Sequence, residues 1–92
     1  MIQANFNSGS ASFNNISDII EACRKGDHKA QLQIYKLYYK PIYSICLKLV
    51  DDPAVAEDLM HESFLSAFEN IRTYHGNSSF YSWLNSFIKK ND

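Results

Sequence analysis

Residues 53–84 read PAVAEDLMHESFLSAFENIRTYHGNSSFYSWL, and the fold is decided there. The stretch holds one long amphipathic helix, a Gly-bearing loop and the start of an aromatic helix. On a wheel at about 100° per residue, Ala56, Leu59, Met60, Phe64, Ala67 and Ile71 share one arc, with Val55 and Phe68 at its margins. That arc is the expected core side. Asp58, His61, Glu62, Leu65 and Glu69 lie opposite, with Glu57 and Arg72 nearer the border. An acidic helical face is ordinarily only solvated. A leucine centred among carboxylates, with an aromatic at the margin, points instead to docking against a basic partner surface.

Working outward, Asp51-Asp52-Pro53 reads as a turn and a helix start. Asp52 is the expected cap, and Pro53 fills the first helical position, where its missing N–H is not needed. This helix is predicted to run to about Tyr74 and to end at Gly76 and Asn77. Ser78 or Ser79 then caps a last helix from near Phe80, with Phe80, Trp83, Leu84 and Phe87 on its apolar side. Upstream, Asp27 caps a long helix over 28–50, whose apolar stripe is Ile34, Tyr35, Tyr38, Ile42, Ile45, Cys46 and Leu49. Pro41 falls inside it and removes one backbone hydrogen bond, which predicts a bend near residues 37–41. Before that, Ser17 is the expected cap of a short helix over 18–25 that buries Ile19, Ile20 and Cys23 and stops at Gly26. Residues 1–14 are rich in Asn and Ser, show no period, and read as a flexible arm. The expected class is all-α, a compact bundle of about four helices over 15–92. The sequence stops in what reads as mid-helix, so a piece of a longer protein is expected.

Ninety-two residues with 14% aromatics and only three Gly and two Pro suit a helical domain better than a sandwich or barrel. No apolar run is long enough to cross a bilayer, and no basic stretch followed by an apolar one marks an export signal. Cys23 and Cys46 stand without CxxC spacing and read as buried thiols in a reducing compartment. A cytoplasmic protein is expected. Net charge is −1, but the signs are segregated: residues 1–50 carry +3, 51–71 carry −6, and 72–92 carry +2. That pattern leads to the expectation of two surfaces with different partners.

Sites for chemistry are hard to find. There is no phosphate loop, nucleophile elbow or HExxH. His61 and Glu62 are adjacent, about 100° apart on a helix, and cannot grip one metal together. His28 and His75 lack a partner at ligand spacing. Glu57, Asp58 and Glu62 point outward, without a pocket to desolvate an acid–base pair. No metal, no cofactor and no enzymatic activity are expected.

At residues 56–65 the chain reads AEDLMHESFL, and at 76–84 GNSSFYSWL. The first run resembles the A-E-D-L-x-Q-E-x-F-L helix in region 2 of bacterial RNA polymerase sigma factors, most closely the extracytoplasmic-function group, with His61 in place of the usual Gln. The second is similar to that family's G-[DN]-S-x-F-x-[ST]-W-L segment. Residues 21–27 (EACRKGD) and Ala30 fit its opening helix pair, so the resemblance covers about 17–92. It implies a helical domain with two contacts. The long helix docks on the clamp helices of the polymerase's largest subunit through Asp58, His61 and Glu62, supported by Glu57, Leu65 and Phe68. The wheel singles out this same face. An imidazole at position 61 cannot accept and donate as an amide does, so the affinity of that contact is expected to differ or to become sensitive to pH. The second implied contact is the melted minus-ten promoter element, read as single-stranded DNA. The loop would hold a flipped base at His75, Asn77, Ser78, Ser79 and Phe80, with Trp83 nearby and Lys89 and Lys90 on phosphates. Core packing is the competing role for Phe80 and Trp83. Where the family continues W-L-x-R-I-A-x-N, this chain has Trp83-Leu84-Asn85-Ser86-Phe87-Ile88-Lys89-Lys90, without the Arg and with the Asn displaced.

The expected function is therefore a sigma factor domain that binds polymerase core and recognises and melts the minus-ten element, with an anti-sigma protein as a further possible partner. The competing reading is a helical protein–protein adaptor of the same fold without DNA recognition.

Overall fold

Asn15 opens the first helix of the computed structural model, which describes the backbone of residues 15–91 and the side chains of 15–89. The expected arm at 1–14 and the Lys90 side chain lie outside the described residues. By its contacts the chain divides into two compact units, Met1–Ile34 and Tyr35–Asp92, and each is taken by itself. The described residues hold four α-helices, one 3-10 turn and no strand: the fold is all-α.

In the first unit, α1 spans Ile16–Arg24. The expected Ser17 cap is corrected by two residues. Asn15 is extended and its side chain accepts from the Asp18 N–H at 3.0 Å, so the helix starts earlier while Asp18 stays in the first turn. At the other end the Gly26 N–H bonds the Cys23 carbonyl (3.0 Å) and the Asp27 N–H bonds that of Ala22 (3.1 Å). This double closure requires a left-handed residue, supplied by Gly26 at φ 83°. Ile19, Ile20 and Cys23 are buried as expected, together with Ala30 and Ile34. Burial pushes the Cys23 thiol up to about 11, with the nearby Asp27 carboxylate adding to the shift. A raised thiol pKa means the neutral form is the folded one. Its contribution is full below pH 9 and is lost as pH climbs toward 11.

Helix α2, His28–Val50, begins where the Asp27 carboxylate accepts from the Lys29 N–H at 2.9 Å. It passes through Pro41 without interruption. It stops at Asp51, which takes the left-handed conformation at φ 54°. In the second unit, Ile42 and Cys46 are buried along it and Tyr35, Tyr38 and Ile45 are half-buried, while Leu49 is 50% exposed and leaves the expected stripe.

Helix α3 spans Pro53–Glu69, and Asp52 caps it by accepting from the N–H groups of Ala54 (2.9 Å) and Val55 (3.2 Å). Ala56, Leu59, Met60, Phe64 and Ala67 are buried, as the wheel requires, and Val55 is exposed. Ser63 joins them fully buried because its hydroxyl donates to the Leu59 carbonyl at 2.7 Å, removing the cost of burying it. The expected end at Tyr74 is corrected: the α-helix closes five residues earlier. The Asn70 N–H and side-chain amide both bond to the Ser66 carbonyl, and the chain tightens into the 3-10 turn Ile71–Thr73. Ile71 keeps its core role from that turn.

Helix α4, Phe80–Asn91, packs against α3. Ser79 is its cap, accepting from the Ser82 N–H at 3.1 Å. Phe80, Leu84, Phe87 and Ile88 are buried on its inner side.

Candidate functional site: an acidic ridge and the loop beside it

On the outer face of α3, Glu57, Asp58, His61, Glu62 and Leu65 are all exposed, with Leu65 at 58%. The physical reason is the inner face: once the apolar arc is buried, residues half a turn away must face solvent. None of the three carboxylates has an ion-pair partner among the described residues, where Arg24–Glu21 (4.0 Å) is the ion pair found. Phe68 is half-buried at the margin, its ring 6.1 Å from that of Phe64. His61 is anchored sideways. Its Nε2 lies 3.4 Å from the Tyr35 hydroxyl on α2, and the two rings are 6.0 Å apart. Tyr35 in turn packs on Phe64 at 5.1 Å, so the imidazole rests on a ring that is itself held by the core.

The loop between the 3-10 turn and α4 is built differently. His75, Asn77, Ser78 and Ser79 are exposed. Gly76, at φ 80°, turns the chain. The Tyr74 hydroxyl donates to the Ser78 carbonyl at 2.8 Å and ties the two ends of the loop together. Beneath lies an aromatic cluster. Tyr74 meets Phe80 edge-on (5.4 Å, 86°) and Trp83 at 5.3 Å, and Trp83 meets Phe87 edge-on at 4.8 Å. Tyr38 of α2 joins through Phe80 at 5.8 Å. Its phenol is pushed above the usual tyrosine range by burial, and then by Tyr74.

The structure thus separates the expected loop residues into two kinds. His75, Asn77, Ser78 and Ser79 present side chains to solvent, whereas Phe80 is 5% exposed and its ring is spent on the core. Trp83 is half-buried and Lys89 exposed. Sequence reasoning missed two supports, Tyr35 beneath His61 and Tyr74 across the loop. The signal available for Tyr74 was an aromatic directly before a Gly-bearing loop. For Tyr35, a tertiary contact, there was none. Among the described residues no group of three His, Cys, Asp or Glu could hold a metal, and no helix is long and apolar enough to cross a membrane. Cys23 and Cys46 are buried and form no disulfide.

Residues 34–91, which include both the ridge and the loop, match the family model described as Sigma-70 region 2. The chain belongs to that family. It is similar to the ECF RNA polymerase sigma factor SigW of Bacillus subtilis, 34% identical over 65 residues that make up 71% of this chain and 35% of the relative. It is also similar to the ECF RNA polymerase sigma-E factor of Salmonella typhimurium, at 32% over 72% of this chain and 34% of the relative. The RNA polymerase sigma-H factor of Pseudomonas aeruginosa is 29% identical over the same shares of each chain. The chain spans about a third of the length of these relatives. No solved structure matches it at a significant level. The sequence resemblance to region 2 of the extracytoplasmic-function group is therefore met by both the family model and the relatives.

Proposed function

We propose that this sigma region 2 domain serves transcription initiation by docking RNA polymerase core on the outer face of α3 and capturing an unstacked promoter base at the 75–79 loop. The observation that carries the reading is the ridge: three exposed carboxylates without ion-pair partners surround an exposed leucine in a chain whose curated relatives are sigma factors. Such a surface suits a basic coiled coil, since charge-assisted hydrogen bonds gain most around an apolar anchor that excludes water. Asp58, His61 and Glu62 lead the contact, with Glu57, Leu65 and Phe68 around them. The loop offers amide and hydroxyl groups for a base edge at His75, Asn77, Ser78 and Ser79. Trp83 and Phe80 hold that loop from below, and Lys89 and Lys90 neutralise phosphates. The domain works by binding and catalyses nothing itself. It acts where the polymerase acts, in the cytoplasm, and an anti-sigma protein would silence it by covering the same two surfaces.

A second reading, an adaptor of the same fold without DNA recognition, is favoured by the −1 net charge and by the missing Arg in the fourth helix. Fluorescence anisotropy of a labelled non-template minus-ten strand, in the presence of polymerase core, separates the two. Binding that weakens with salt and falls about tenfold with Asn77→Ala supports promoter capture, one lost base contact being worth about that much. No binding, with core still attached, supports the adaptor.

A further inference from the structure

Next to the ridge, in the second unit, lies a groove of about 470 Å³ between α2 and α3. Tyr35, Tyr39 and Tyr43 of α2 and Met60 of α3 line it, with Lys40 and Glu57 among the same walls. Tyr35 and Tyr39 are stacked, with ring centroids 5.5 Å apart and planes 11° from each other. Tyr39 is 36% exposed, so this end of the stack is in part open to a visitor. Lys40 and Glu57 line the groove without pairing to each other or to any other described residue. The groove is continuous with the ridge, because Tyr35 also touches His61.

We propose that this groove is the socket for an arginine side chain of the protein partner that docks on α3. The inference rests on the docking reading given above and deepens it. A planar, weakly hydrated guanidinium lies flat on stacked rings, and its fork of donors suits a carboxylate at the edge, here Glu57. Lysine, a strongly hydrated point charge, gains less from a flat face. The unpaired Lys40 completes the complement: a partner helix with a carboxylate one turn from that arginine meets both charges at once. Nucleic acid is disfavoured as occupant, since Lys40 and Glu57 leave the groove lining without a net positive charge to draw phosphate.

The test measures the affinity of the full chain for sigma-free polymerase core, with helix content followed by circular dichroism. Tyr39→Leu keeps an apolar side chain but loses the ring face, and is expected to weaken binding about tenfold. Tyr39→Phe keeps the face and recovers most of that loss, and Glu57→Gln weakens binding by about the same factor as Tyr39→Leu. Glu62→Arg serves as the control on the ridge. If it abolishes binding while Tyr39→Leu and Glu57→Gln do not change it, the socket is overturned and the docking reading stands. If Tyr39→Phe loses as much as Tyr39→Leu, the hydroxyl and not the ring is what matters, and the arginine assignment fails. If Glu62→Arg itself leaves affinity unchanged, the docking reading falls and the socket with it.

Discussion

The ridge on α3 and the loop ahead of α4 sit in the same unit but are held in opposite ways. Asp58, Glu62 and Leu65 project from a helix whose stability is settled on its other face, so they contribute little to the fold. The loop depends on the core directly: Tyr74 spans it, and Phe80 and Trp83 support it from beneath. A surface of the first kind can change its charge or chemistry while the fold is conserved. A surface of the second kind cannot change its supports without loosening the domain. Partner choice is therefore expected to be set on the ridge and loop geometry by the aromatic cluster.

Stability measurements by chemical denaturation can break that comparison. Phe80→Ala should cost the most, about 3–5 kcal/mol, the usual loss for a buried aromatic ring. Gly76→Ala should cost about 1–2 kcal/mol. Nothing lies within 4 Å of the added Cβ, so the penalty is that of a left-handed backbone alone. Tyr74→Phe keeps the ring but removes the hydrogen bond to Ser78, and should cost about 1 kcal/mol with faster amide exchange confined to the loop. Leu65→Ala, on the ridge, should stay within about 0.5 kcal/mol. If Leu65→Ala and Phe80→Ala prove equally costly, the contrast between the two regions is wrong.

Most of the architecture was legible in the sequence because its signals were local. The Asp52-Pro53 start and the Ser79 cap each act within three residues, and the buried arc of α3 follows from one period. What escaped was set by tertiary contacts or by close local competition. Ser17 and Asn15 are both good caps, and only the geometry of the first turn decides for Asn15. The apolar period of α3 continues to Ile71 although the helix does not, because a 3-10 turn can also aim that side chain inward. Leu49 fits the stripe of α2 but is half exposed, since a period names a face and not how far a neighbour reaches along it. At Phe80 the sequence allowed both core and pocket roles, and burial at 5% exposure assigns it to the core. The support of His61 by Tyr35 joins residues 26 positions apart, beyond any local pattern.

The ridge is the claim on which the function rests, and the affinity of purified polymerase core for Glu62→Arg against the unaltered chain tests it most directly. The account predicts a loss of about 100-fold or more, as expected for a reversed charge at a desolvated contact, with unchanged helix content. An affinity equal to that of the unaltered chain would contradict it.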